Sequence, residues 1–187
     1  MVKAKEVIQT VYYILSKIKQ ADKIKLVKLI YLADKYHLLL YGRTITGDRY
    51  FAMDYGPVGS MVKDVLKPDK YTLSHEDIEY SESLYKRIDD NTFRVKDPAH
   101  VENFNFSESD KRALDFIIEK FGKNDSFELS DYTHKYHEWL SHEEELKAKK
   151  CIPLSNKDLL SVLEDDIFQI PPEHIELSRR FMSGEFE

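Results

Sequence analysis

KLVKLIYLADKYHLLLYGRTITGDRYFAMDYGPVGSMVKDV, residues 25–65, is the stretch whose reading decides the fold. At about 100° per residue, Leu26, Leu29, Ile30, Ala33 and Leu40 share one arc of a helix, and Val27, Tyr31 and Leu38 widen it. A helix apolar over so much of its circumference sits at the centre of a fold, contacted from several sides. Lys25, Lys28 and Lys35 fall on the far side, which predicts a solvated lysine face. Asp34 lies at the edge of the apolar arc. A buried charge is costly without a partner, so Asp34 requires a lysine or a backbone N–H. His37 lies inside the arc and reads as a hydrogen-bonded core histidine.

The end of the stretch carries stop and turn signals. Gly42 suits a left-handed helix stop. Thr46-Gly47-Asp48 is a turn signal. Arg49 to Met53, with Tyr50 and Phe51, suits a short strand. Gly56 permits a backbone angle that other residues resist. Pro57 fits the first turn of a second helix, where its missing N–H is no loss, and Val58, Met61, Val62 and Val65 follow at helical spacing.

Taken together, Lys28-Leu29-Ile30-Tyr31-Leu32-Ala33, Gly42, Ala52 and Tyr55-Gly56-Pro57-Val58 resemble the SocA-like antitoxins, also called the Panacea domain. A weaker resemblance follows at Leu129-Ser130-Asp131-Tyr132-Thr133-His134 and Trp139. The resemblance spans about Lys25 to Trp139. It implies a bacterial or phage antitoxin that binds a toxin protein encoded beside it. Neutralisation would come from occlusion or from delivery to a Clp-type protease, with no catalysis and no cofactor. Lys28, Tyr31, Tyr55, Gly56, Pro57, Val58, His134 and Trp139, with Asp34, Tyr50 and Phe51 between the motifs, are the candidate family and partner-contact residues.

Whole-chain properties narrow the class. The length of 187 residues suits one domain, with residues 151–187 as a C-terminal helical extension. No run approaches the roughly 18 apolar residues that span a membrane. The first residues read as an amphipathic helix rather than a signal peptide. Cys151 is the single cysteine, which excludes an internal disulfide and a cysteine-based zinc site and points to the cytoplasm. The net charge is −6, but residues 1–50 carry ten Lys and Arg against four acids. An acidic total argues against nonspecific nucleic-acid binding. The basic first two helices keep a DNA-binding regulator as an alternative.

The remaining chain predicts a mainly α fold with a small β element. Helix one is expected over Lys3 to Lys19, and Asp22 is the expected cap of the central helix. Lys67-Pro68-Asp69 ends the helix opened at Pro57, and His75 to Leu84 is polar with at most a turn of helix. Leu84 to Ile88 and Thr92 to Lys96 flank Asp89-Asp90-Asn91 as a hairpin. Pro98 to Phe106 reads as a loop. Ser107 opens a helix that ends at Gly122. Asp125 or Ser126 opens another, with Phe127, Leu129 and Tyr132 inward. Ile152-Pro153-Leu154 is extended. A short helix then carries Leu159, Leu160, Val162 and Leu163. Pro172 opens a last helix carrying Ile175, Leu177 and Phe181, and the final residues fray.

Two chemical alternatives compete with a binding module. On a continuous helix, His134, Glu138 and His142 would share one face, as in a metal-dependent enzyme, although the spacing is not that of the zinc proteases. Cys151 follows Lys149 and Lys150 without a recognisable base. The first third also concentrates tyrosines around Tyr55-Gly56-Pro57-Val58, which suits either a core or a partner-binding surface.

Overall fold

The computed structural model describes residues 4–67, 71–97 and 104–184. It is mainly helical, with α1 (Ala4–Ile18), α2 (Lys23–Tyr41), α3 (Ser60–Leu66), α4 (His75–Leu84), α5 (Glu108–Phe121), α6 (Ser126–His134), α7 (His137–Leu140), α8 (Glu143–Leu146) and α9 (Pro172–Ser183). Among the described residues, six short strands complete it: β1 (Gln20–Asp22), β2 (Tyr50–Met53), β3 (Gly56–Gly59), β4 (Tyr85–Arg87), β5 (Thr92–Val95) and β6 (Ile152–Leu154). Both sheets are antiparallel and three-stranded, ordered β1-β5-β4 and β3-β2-β6.

Helix α2 is the axis, with α1, α5, α6, α9 and β3 packed around it. Its ends follow from local chemistry. The Asp22 carboxylate accepts from the Lys25 amide at 3.0 Å, and Gly42 stops the helix at φ 70°. Its lysines depart from expectation. Lys28 and Lys35 are buried and Lys25 is half-buried, because neighbours pack around α2 beyond its first turn and leave no face for a solvated stripe. His37 is a core histidine as expected, with Nδ1 at 2.8 Å from the Arg43 carbonyl and Nε2 at 3.1 Å from Ser109 Oγ.

Pro57 does not open a helix. It lies in β3, opposite Ala52 in the β2–β3 hairpin. The helix begins at Ser60 because Asp48 supplies its cap from a distance. The Asp48 carboxylate accepts from the Met61 and Val62 amides at 2.9 Å each and from Ser60 Oγ at 3.1 Å. The β element is larger than expected. Residues 20–22 form an edge strand rather than a plain link, and Ile152–Leu154 adds a third strand to the hairpin of β2 and β3.

The β4–β5 hairpin forms in the expected place, with Tyr85 opposite Val95. α4 runs for ten residues, capped by Ser74, where only a turn was expected. Ser107 closes a reciprocal capping box with Asp110 and opens α5, but Gly122 remains right-handed at φ −64°. Asp125 caps α6. Phe127 points outward at 71 % exposure, because Leu129, Ser130 and Thr133 form the buried face of α6. Leu177 and Phe181 are also exposed, while Ile175 and Ser178 face the core. The helix expected to carry Leu159 to Leu163 is a single 3-10 turn, Asp158–Leu160. Expectations for Lys3, Pro68-Asp69, most of the loop after Pro98 and the last three residues lie outside the described residues.

Candidate functional site

Three polar clusters organise the surroundings of α2. In the first, Asp34 is completely buried and accepts from the Ile45 amide at 2.8 Å, the Thr46 amide at 2.9 Å, the Tyr50 hydroxyl at 2.7 Å and the Thr46 hydroxyl. Burial pushes its carboxyl up to about 6, against the pull of those donors. Asp34 therefore has the backbone partner its position demanded. It ties the loop after α2 to the start of β2.

In the second, Lys35 and Glu138 form an ion pair of 2.6 Å with neither side chain exposed. Glu138 Oε1 also accepts from the Tyr31 hydroxyl at 2.5 Å, and Oε2 from the Ser161 hydroxyl. Lys35 donates to the Leu159 carbonyl at 2.9 Å and lies 4.1 Å from the centre of the Tyr136 ring. Burial lowers the Lys35 ammonium from its ordinary range, and the adjacent carboxylate holds it up.

The third cluster holds the Tyr55-Gly56-Pro57-Val58 turn. Lys28 is buried and donates to the Pro57 carbonyl at 3.0 Å. No carboxylate pairs with it among the described residues, and burial lowers it to about 7. Gly56 adopts φ 96°, and a Cβ there would sit 2.6 Å from Lys28 Nζ and 2.7 Å from Thr133 Oγ1. Its glycine identity thus follows from both conformation and space. His134 stacks on Trp139 at 3.7 Å, and Trp139 donates its indole N–H to the Met53 carbonyl at 2.7 Å. Burial, then repulsion from Lys28, lowers the His134 imidazole.

A mainly apolar groove opens on the outer side of that turn, with a volume of about 300 Å³. Ile24, Val27, Met53 and Val58 line it, Tyr55 flanks it at 61 % exposure, and its charged lining residues are Lys23, Lys28 and Lys63 with one acid, Asp54. Lys23 and Ile24 also line a neighbouring depression that ends at Phe127.

Residues 26–140 match the model of the antitoxin SocA-like, Panacea domain, more than half of the chain. The chain belongs to the SocA-like antitoxin family. No curated protein and no solved structure matches it. The matched segment runs from the first turns of α2 to the end of α7. It contains all three clusters except Leu159 and Ser161.

The structure brings the two resembling motifs together: Lys28 from the first and Thr133 and His134 from the second meet around Gly56. Tyr31, Asp34 and Tyr50 are buried, so they shape the fold from inside, while Tyr55 is the exposed member and Phe51 and Val58 are half-buried. The supposed metal face is not continuous. The helix breaks between His134 and His137, Glu138 turns inward to Lys35, and His142 lies 3.5 Å from Glu145. Among the described residues, no three His, Cys, Asp or Glu side chains converge as ligands. No described helix is long and apolar enough to cross a membrane.

The sequence places Lys35 on a solvated face, Asp48 in a turn and Glu138 on a metal face, whereas the structure pairs Lys35 with Glu138 and makes Asp48 a helix cap. The groove residues Lys23 and Lys63 have no role of their own in the sequence reading. A lysine on a helix apolar nearly all round is the signal that could have found Lys35. Nothing local marks Glu138, whose partner lies far away in the chain.

Proposed function

We propose that this protein is the antitoxin of a toxin–antitoxin pair. It acts in the cytoplasm by binding a neighbour-encoded toxin protein and blocking it through surface complementarity, without catalysis. The family match over residues 26–140 carries this reading. Its support in the geometry is the rigidly held turn at Gly56, which presents Tyr55 beside an open apolar groove. The buried members of the candidate set, Lys28, Tyr31, Asp34, Tyr50, Gly56, Pro57 and Trp139, with the half-buried His134, hold that surface in shape. Tyr55, Phe51 and Val58 are its partner-contact candidates. The SocA-like segment and residues 152–161 act as one unit, since the sheet and the Glu138 cluster both use the later segment.

Co-expression tests this. The neighbouring gene alone should arrest growth, this protein should restore it, and the two should copurify at near-equal amounts. Persistent arrest with both proteins present in soluble form would refute the reading. Loss of rescue in cells lacking Clp proteases, with copurification retained, would assign delivery to a protease as the route instead of blocking.

A further inference from the structure

The groove beside Tyr55 has a charge character unlike that of the chain. The protein as a whole is acidic, at −6. Around Lys23, however, the neighbouring charges are mainly cationic. Burial lowers its ammonium first, and repulsion from Lys67, Lys63 and Arg87 lowers it further, opposed by Asp64. Among the described residues, no carboxylate pairs with Lys23, Lys63 or Lys67. Lys28, also in the groove lining, has only a carbonyl partner. Three lysines, Lys23, Lys28 and Lys63, line the groove against one carboxylate, Asp54, and such an excess of like charge costs stability that is recovered when a complementary surface arrives. The groove floor is apolar, so the complement is not a bare polyanion.

We propose that this groove receives an acidic, apolar-centred segment of the toxin. Its apolar side chains rest on Ile24, Val27, Met53 and Val58, and its carboxylates face Lys23 and Lys63. The inference rests on the antitoxin reading for the partner's identity, but its chemistry is set by the groove. A nucleic acid would satisfy the lysines and leave the apolar floor without a matching surface. An acidic peptide satisfies both. Desolvation at the apolar floor strengthens the flanking charge pairs relative to the same pairs in open water.

The test uses a displayed library of random short peptides selected on the full chain. Recovered sequences are expected to place Asp or Glu on either side of apolar residues. They should bind the double variant Lys23→Glu/Lys63→Glu at least about tenfold more weakly. The charge-matched variant Lys111→Glu/Lys120→Glu, on α5 and outside the groove, should bind them unchanged. Circular dichroism establishes that both variants are folded. A milder pair, Lys23→Gln/Lys63→Gln, replaces the first if it is not, with the same expectation of weakened binding. Enrichment of neutral or basic sequences, no enrichment, equal loss in the α5 variant, or tighter binding of a short single-stranded RNA than of any selected peptide would each overturn the proposal. Failure of the antitoxin reading is separate. It appears as unrelieved growth arrest on co-expression, whatever peptides the groove selects.

Discussion

Replacing Glu138 by Gln isolates the worth of the buried pair with Lys35. The amide keeps an oxygen for the Tyr31 hydroxyl and a polar group near Ser161, so the hydrogen-bonded frame survives. The change removes the charge facing an ammonium with no exposure at all. Removing one partner of a buried pair costs about 3–5 kcal/mol, and the retained amide oxygen favours the lower end, about 3 kcal/mol. For a chain of this size that lowers the melting temperature by roughly 6–12 °C. Lys35→Met should cost a similar amount, because Glu138 then keeps only hydroxyl donors. If the two losses were independent, the double variant would lose about 6 kcal/mol. Removing both charges together leaves no unpaired ion, so Lys35→Met/Glu138→Gln should lose about 3 kcal/mol or less, a coupling of at least about 3 kcal/mol. Urea unfolding at neutral pH, followed by circular dichroism, measures all four proteins. A coupling below about 0.5 kcal/mol would refute the reasoning.

Lys28 makes stability depend on pH. Burial lowers its folded-state value to about 7 from 10.5, so above about 7 the folded chain has shed a proton that the unfolded chain still holds. Stability from this group therefore rises between about pH 7 and 10.5, by roughly 1.4 kcal/mol per unit, and Lys28→Met should flatten that rise in urea midpoints taken at the two ends. Gly56→Val places a branched side chain at φ 96° against Lys28 and Thr133, and should cost about 2–5 kcal/mol. A variant with an unchanged melting temperature and full toxin binding would remove the claim that this turn is held by glycine. Asp48→Ala strips the distant cap from α3 and should cost about 2–4 kcal/mol, with Asp48→Asn losing less. Hydrogen exchange at Met61 and Val62 should accelerate most; unaltered protection there would contradict the assignment.

What was readable in the sequence was what local chemistry decides. The ends of α2 follow from Asp22 and Gly42, the start of α5 from Ser107, and the β4–β5 hairpin from two β-prone runs around Asp89-Asp90-Asn91. The burial of Lys35 was not readable, because its partner Glu138 stands 103 residues away. The start of α3 was misplaced for the same reason. Pro57 is compatible with a first helical turn, but Asp48, brought near by the β2–β3 hairpin, caps the helix at Ser60. Phe127 looked like a core residue by type, yet only packing decides which side of a first turn faces inward. At the candidate site, the motif residues around Gly56 were visible as a pattern. The groove edge at Lys23 and Lys63 needed the fold, since lysines on separate helices carry no mutual signature in sequence.

The Leu159 carbonyl and the Ser161 hydroxyl complete a cluster whose central lysine lies near the start of the chain. During synthesis, Lys35 emerges long before Glu138, and Glu138 before Leu159. The nascent helix α2 must therefore stay in water, or on a chaperone, until the ribosome has released the residues around 161. Only then can its ammonium be sealed inside and β2 gain its second neighbour, β6. Folding of the central helix is thus a late event in translation. Ribosome-bound chains halted with residue 150 just outside the exit tunnel should be cut rapidly by protease within α2, and chains halted well past 184 should resist. Equal resistance in the two would show that the central helix closes without its last partners.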